Sequence, residues 1–585
     1  MIKRKQRRMK VNCGVAIDIG VQNFEKIRER NSFYVDKTDF IKEWWENGAD
    51  VTLITRPRRF GKTLNLSMLE CFFSNQYEGR GELFEGLSIW KEEKYKRLQG
   101  TYPVIFLSFA RVKAADYEGM KYSVTKLISD IYEQNRFLLE SGKFSENEKE
   151  YFNSIKPGMY HGAAVDAINA LTNFMERYYG RNVIILLDEY DTPMQEAWLN
   201  GYWEEAVGFF RSFFNAAFKT NPHMERGLIT GITRISKESI FSDLNNPEVI
   251  TTTSGKYARY FGFTEQEVFQ ALDDMGFGAE KEGVKSWYDG FTFGSMTDIY
   301  NPWSIMSFMA NGGRYQSYWA DTSSNGLVNR LIREGSADIK RQFERLIGGK
   351  SILVPVDEQI IYDQLDEDEN AVWSLLLAGG YLKVVSIDNA DISESLEEEK
   401  YELALTNHEV RRMFAKMIRG WFKNTAEVYS EFIKALLQDD VKKMNIFMNK
   451  VALNTFSAFD SGNRPSQAAE PERFYHGFVL GMVVDLADRY SVKSNRESGY
   501  GRYDVMIEPH DRKEKAFLFE FKVLDRDSGE AALEDTAASA LAQLEEKRYE
   551  TELIEDGIVP ENIRKYGFAF EGKRCLIVLS HGRRT

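Results

Sequence analysis

The N-terminal part of the chain alternates short apolar runs with long amphipathic ones. An apolar, β-branched run begins at Val51, and further strands are expected at 104–109, 183–187 and 227–232. Helical periodicity fills the gaps at 164–179 and 203–219. A shorter helix lies within 36–48, with Asp36 or Thr38 as N-cap and Gly48 as its stop. Continuous apolar strands joined by helices belong to a parallel sheet covered on both faces, so the expected fold class is α/β.

The pattern changes at Thr264. TEQE at 264–267 is a capping box that opens a helix, and Gly276 closes it. The segments beyond are expected to be helical with aromatic-rich connections (WYDGFTF, YNPWSIMSF, YQSYWADTSS). Those aromatics read as core rather than as a platform for stacked bases. Acidic stretches at 366–370 and 388–399 read as exposed loops, a boundary falls near Asn407, and helices run on to about Thr455. Near the C-terminus two apolar strands, 502–508 (RYDVMIE) and 516–523 (AFLFEFKV), enclose a polar turn and form a hairpin. A helix at 472–486 precedes it, and an Ala-rich helix at 529–549 and a strand at 575–579 follow.

With 585 residues, 43% hydrophobic and 14% aromatic, the chain has material for three or four domains with their own cores. A formal net charge of −13 makes the whole molecule repel nucleic acid, so any such contact relies on local basic patches. The opening MIKRKQRRMK holds six Lys or Arg in ten residues but no interleaved aromatic, and it reads as a solvated tail. Cys13, Cys71 and Cys575 show no CxxC spacing, and the histidines are scattered; this excludes a disulfide framework and a zinc-ligand pattern. No apolar run approaches the ~18 residues that span a bilayer, and no signal-peptide core follows the basic start. The expectation is a cytoplasmic protein with no membrane partner.

Candidate chemistry concentrates in two places. At 51–65, VTLITRPRRFGKTLN, the apolar run empties into a basic loop that ends Gly61-Lys62-Thr63 as helix-forming residues begin. In a phosphate loop the backbone N–H groups face the phosphates, here from Arg58, Arg59, Phe60 and Gly61 onward. Lys62 neutralises the phosphates and the Thr63 hydroxyl ligates Mg²⁺. The general pattern has a Gly five residues before Gly61; Arg56 stands there, so the loop is expected to turn without a free φ, stiffened by Pro57. A second run, NVIILLDEYD at 182–191, ends in Asp188 and Glu189. The first acid at such a strand end holds Mg²⁺, and the second orients and deprotonates the attacking water. Together the motifs point to ATP with Mg²⁺; the alternative is a plain helix cap and solvated turn acids. Arg234, after the strand at 227–232, reaches the nucleotide or a neighbouring subunit of a homo-oligomer, or is an ordinary surface Arg.

In the C-terminal hairpin, Glu520 and Lys522 share a face by strand alternation, and Asp504 joins them if the register allows. Asp504 and Glu520 would hold Mg²⁺ or Mn²⁺, and Lys522 would steady the attacking water or the charge on phosphorus during phosphodiester hydrolysis. Glu472 is a further metal-site acid, and the following helix carries Gln543 and Tyr549. The alternative is a salt-bridged, solvated sheet face. His476 reads as a helix-packing residue.

The segments FYVDKTDFI (33–41), TRPRRFGKT (55–63), LLDEYD (186–191), WYDGF (287–291) and YNPWSI (300–305) resemble the bacterial AAA-ATPase-like proteins. These usually carry a C-terminal PD-(D/E)XK nuclease superfamily domain, which SNRESGYGRYD, FEFKV and ALAQLEEKRY resemble. In that family Arg in place of the first loop Gly is usual. The resemblance implies a basic tail and lead-in (1–20), an AAA-like P-loop ATPase domain (21–260) and a helical lid with or without a winged helix (261–406). A helical lead-in and an α/β restriction-endonuclease-like domain (407–585) complete the expected order. Asp504, Glu520 and Lys522 carry over as catalytic residues, and Glu472 and Gln543 as accessories; Tyr503 replaces the signature Pro before Asp504. The implied function is ATP-dependent or ATP-gated cleavage of nucleic acid, DNA or RNA. Its rival is a regulatory ATPase switch whose nuclease-like domain only binds, and a third reading is nucleotide binding without turnover.

Overall fold

The computed structural model describes residues 15–235, 247–320, 326–358, 368–388, 399–421, 426–459, 478, 481, 482, 484–498, 501–526, 529–571 and 574–580. The basic opening, Glu472 and His476 lie outside them. The chain divides into two units, Met1–Ser323 with Val354–Val410, and Ser324–Leu353 with Arg411–Thr585.

The first unit is built on a five-stranded sheet ordered β2-β3-β4-β1-β5. Its strands are β1 (Val51–Thr55), β2 (Val104–Ser108), β3 (Val183–Asp188), β4 (Met224–Gly231) and β5 (Glu248–Ile250). All neighbours are parallel. Every residue of β1 and β3 is buried, which is why they read as unbroken apolar runs. The register sets Ser108 beside Asp188 and Thr55 beside Gly231, so β1, β2, β3 and β4 end along one carboxyl edge. That edge is where parallel α/β sheets place ligands.

One local expectation is corrected. The helix expected within 36–48 is Asp39–Glu46; it ends at Asn47, and its N-cap Thr38 makes no side-chain cap bond. The Thr38 hydroxyl is occupied elsewhere, donating to Asp36 at 2.7 Å, while Asp36 also accepts from the Ser88 amide at 2.7 Å. The helical stretch expected at 203–219 forms, as an α-helix to Phe214 and a π-helix over Asn215–Lys219.

After the core the capping box forms as expected: Thr264 and Glu267 exchange bonds at the start of the helix Glu265–Asp274. The aromatic segments beyond it are not mere connections. They supply two strands of a small antiparallel sheet ordered β6-β8-β7, with β6 at Phe263–Thr264, β7 at Phe291–Phe293 and β8 at Met296–Tyr300. Strands of two to five residues are too short for their period to show in the sequence. Gly290 (φ +126°) is obligatory here, because a Cβ would lie 2.0 Å from the Thr406 carbonyl oxygen. Farther on, β9 (Ile352–Pro355) contains the unit boundary and belongs to a sheet ordered β10-β11-β9, with β10 at Leu382–Asp388 and β11 at Lys400–Leu405.

Glu409 ties this region together. Its fully buried carboxylate accepts from the Ser304 hydroxyl (2.8 Å), the Trp319 amide (2.6 Å) and the Ala320 amide (3.4 Å). Burial outweighs these donors and pushes its pKa up to about 7. The unfolded chain releases this proton near the ordinary carboxyl value, whereas the native state keeps it until about pH 7. The native state is therefore favoured below the unfolded pKa and loses that advantage as pH rises to 7, by an amount on the order of 3 kcal/mol. Melting curves between pH 5 and 8 should show a downward slope in the wild type that flattens in Glu409→Gln; parallel curves would contradict this assignment.

The second unit carries a mixed sheet ordered β12-β13-β14-β15-β16. Its strands are β12 (Tyr490–Ser498), β13 (Gly501–Pro509), β14 (Ala516–Val523), β15 (Ile563–Glu571) and β16 (Arg574–Leu579). β14 and β15 are parallel and the other pairs antiparallel. The expected hairpin is β13–β14, and the sequence reading missed β12 and β15. The helix Leu533–Glu546 lies in the connection from β14 to β15 and packs Leu533 and Ala537 against Ala569, Leu576 and Val578.

Candidate functional site

The basic loop leaves β1 at the carboxyl edge and enters the helix Lys62–Phe73. Gly61 is left-handed (φ 85°), and Arg59 adopts the same region (φ 68°), so the loop makes its turns there rather than at position 56. The amides of Gly61, Lys62, Thr63 and Leu64 have no backbone or side-chain acceptor among the described residues. Such orphan donors at a helix start are what an oxyanion binds. The buried Lys62 Nζ donates to the loop's own carbonyls, Arg56 O at 2.7 Å and Pro57 O at 2.9 Å. Burial lowers its pKa, and the charges of Glu189, Asp188 and Asp191 oppose that shift.

Arg56 does not act as a turn residue. Its guanidinium is wholly buried and donates to the carbonyls of Thr55 (3.1 Å), Ser254 (3.1 Å) and Lys256 (3.2 Å), and also to Thr251 O. It lies 4.4 Å from the centre of the Phe293 ring. The position thus fixes the loop through its side chain, where the general pattern uses a free φ.

Thr63 Oγ1 donates to Asp188 Oδ2 at 2.7 Å, and Thr230 Oγ1 to Asp188 Oδ1 at 2.7 Å. The two sequence motifs therefore meet in one hydrogen-bonded cluster. Burial raises the pKa of Asp188, opposed by these hydroxyls and by Lys62. Glu189 follows in a left-handed conformation (φ 52°), a strain of about 1–2 kcal/mol for a non-glycine residue, held at the sheet's carboxyl edge. Its pKa is raised by burial and then by Asp188.

The remaining loop residues scatter. Arg58 reaches Gln195 at 3.4 Å, Arg59 lies 4.3 Å above the Trp303 ring, and the Phe60 side chain is buried between Phe291 and Phe293. Only the backbone of Phe60 is left to face a ligand. Arg234 has its resolved effect on Glu358, whose pKa it helps to hold down. Sequence reasoning missed Tyr190 and Asp191. Asp191 Oδ2 accepts from the amides of Ile232 (2.9 Å) and Thr233 (2.8 Å), and the Tyr190 hydroxyl donates to Thr233 O at 2.8 Å. They weld the end of β4 to β3; Gly231 is required because a Cβ would lie 2.6 Å from the Tyr190 ring. The third acid of DEYD was the available signal.

In the second unit the register pairs Val505 with Phe519, and one step further sets Asp504 opposite Glu520. Asp504 Oδ2 accepts from the Phe521 amide at 2.7 Å. Glu520 Oε1 accepts from Gln543 Nε2, while Glu520 Oε2 is buried with no partner among the described residues. Lys522 Nζ donates to Ser539 Oγ at 3.1 Å, so Gln543 and Ser539 of one helix contact the face that holds Glu520 and Lys522. Burial raises both carboxyl pKa values, and repulsion from Asp504 raises that of Glu520 further. A buried acid with an orphaned oxygen, a half-buried acid opposite it and an adjacent ammonium are a donor set that fits an oxygen-ligated divalent cation. A different trio, Glu265, Asp289 and Asp298, also lies close enough to share an ion, but Lys285 already pairs with Glu265 and, at 3.5 Å, with Asp298.

Residues 18–241 match the family described as Predicted AAA-ATPase, and residues 470–579 match the PD-(D/E)XK nuclease superfamily. The chain thus has the architecture of an AAA-ATPase-like protein with a C-terminal PD-(D/E)XK nuclease superfamily domain. It is similar to "Uncharacterized protein in vnfD 5'region" of Azotobacter chroococcum mcd 1, with 25% identity across 91% of this chain and 92% of the relative. Among the described residues no helix is long and apolar enough to cross a membrane.

Proposed function

We propose that the protein binds and hydrolyses ATP in its first unit and cleaves nucleic-acid phosphodiester bonds in its second. The observation that carries the ATPase half is the cluster Thr63–Asp188–Thr230, which joins the loop, the acid strand and the end of β4 through two 2.7 Å bonds. The triphosphate would lie on the amides of Gly61 to Leu64, with the Lys62 ammonium turned onto it. An apolar pocket lined by Tyr34, Leu64, Phe263 and Trp303 adjoins this loop and suits the base. Thr63 and Asp188 would hold Mg²⁺, which supplies charge neutralisation on the phosphates. Glu189 would orient and deprotonate water, and its raised pKa brings it closer to that task at neutral pH.

In the second unit Asp504 and Glu520 would hold a divalent cation, Mg²⁺ or Mn²⁺, which supplies Lewis-acid activation of a phosphodiester. Lys522 would steady the water or the charge gathering on phosphorus. Among the described residues Cys71 and Cys575 are free and buried, in keeping with a cytoplasmic setting.

Glu189→Gln tests the ATPase half. It should keep ATP binding by calorimetry and lose phosphate release by ~10²-fold or more. Hydrolysis at the wild-type rate would assign the water to another residue.

A further inference from the structure

The carbonyl oxygen of Arg58, in the middle of the phosphate loop, accepts two hydrogen bonds from residues far downstream. Trp319 Nε1 donates at 2.9 Å and Asn301 Nδ2 at 3.3 Å. Both donors are buried and both are fixed from behind. Asn301 Oδ1 caps the helix Pro302–Ala310, accepting from Trp303 N at 2.9 Å and Ser304 N at 3.3 Å. That leaves only its amide nitrogen for the loop. Trp319 is held through its own backbone amide by Glu409, the carboxylate that also takes the Ser304 hydroxyl. The Trp319 ring packs edge-on to Phe291, which in turn packs edge-on to Phe60 of the loop. A Cβ on Gly380 would lie 2.7 Å from Pro57, so the loop is closely covered there as well.

We propose that Asn301, Trp319 and Glu409 are positioning residues for nucleotide turnover: they clamp the Arg58 peptide so that the amides beyond it keep the geometry a triphosphate needs. The clamp gives the YNPWSI motif a role and explains why Glu409 is buried against the Trp319 amide. Asn301 and Trp319 reach the loop through the Arg58 carbonyl, and Glu409 reaches it through Trp319. They act on the loop in the way a supporting hydrogen bond fixes a reactive group, where small misplacements carry large rate penalties. The proposal rests on the ATPase reading of the loop.

The test uses the full chain with three substitutions. Trp319→Phe removes the indole N–H and keeps a ring. Asn301→Ser keeps a helix cap and removes the amide donor. Trp373→Phe is the control: Trp373 is equally buried, but its Nε1 has no partner among the described residues. Amide hydrogen exchange over residues 56–63 is measured without nucleotide, and kcat and KM for ATP with Mg²⁺ are measured alongside. Trp319→Phe and Asn301→Ser should each speed exchange in the loop and lower kcat by ~10-fold or more with a smaller change in KM, while Trp373→Phe matches the wild type in both. Wild-type exchange and wild-type kcat in both clamp variants would overturn the clamp and leave the ATPase reading standing. Equal loosening in Trp373→Phe would also overturn it, as a general packing effect. A wild-type chain that neither binds nor hydrolyses ATP would overturn the ATPase reading and, with it, the clamp's role in turnover.

Discussion

Glu520→Gln should abolish divalent-metal-dependent cleavage of nucleic acid, by ~10³-fold or more, without loosening the fold. Glu520 Oε2 is buried with no partner among the described residues, and the carboxyl pKa is raised by burial and by Asp504, so the ionised side chain is a cost to the folded unit. A neutral isostere removes that cost. The melting temperature of the variant should therefore equal or exceed that of the wild type at pH 8 while cleavage is lost. Loss of activity with a gain in stability marks a group retained for chemistry rather than for folding. Asp504→Asn should behave in the same way, since its side-chain oxygen can still accept from Phe521 N. Lys522→Ala should lose cleavage yet keep metal binding, because its role is electrostatic. A stability loss with cleavage intact would return these residues to a structural sheet face.

Lys62→Ala should weaken ATP binding by ~10²-fold or more, the worth of a charge-assisted bond to phosphate in a buried loop. A second effect follows from the structure: Lys62 Nζ bridges the carbonyls of Arg56 and Pro57, so its removal also frees the first part of the loop. Arg58 and Arg59 are poor substitutes, one turned to Gln195 and the other stacked on Trp303. Unchanged affinity by calorimetry would show that these arginines carry the phosphates.

What the sequence made legible was local. β1 and β3 are buried along their whole length and so read as apolar runs, and their polar ends, Gly61-Lys62-Thr63 and Asp188-Glu189, stood where strand ends place chemistry. The β13–β14 hairpin was legible from two apolar runs around a polar turn, and strand alternation put Glu520 and Lys522 on one face. What stayed hidden depends on partners distant in the chain. Arg56 looked like a missing glycine because the Thr251 carbonyl it binds lies 195 residues away. Asn301 and Trp319 looked like members of an aromatic connection because their bonds to Arg58 span 243 and 261 residues. The segment Ser324–Leu353, which groups with the C-terminal unit, carried no sign of that in its composition. β15 was missed because its parallel pairing with β14 follows from the crossover rather than from its own residues.

The central claim is that an ATP-binding unit and a metal-dependent phosphodiester-cleaving unit share this chain. It is tested most directly by incubating the full chain with single- and double-stranded DNA and RNA, with Mg²⁺ or Mn²⁺, with and without ATP, beside Glu520→Gln. The account predicts cleavage of at least one substrate that requires the divalent cation and disappears in Glu520→Gln. No cleavage of any substrate, together with no divalent-cation binding at Asp504 and Glu520 by calorimetry, would contradict it and leave an ATPase switch with a non-catalytic C-terminal fold.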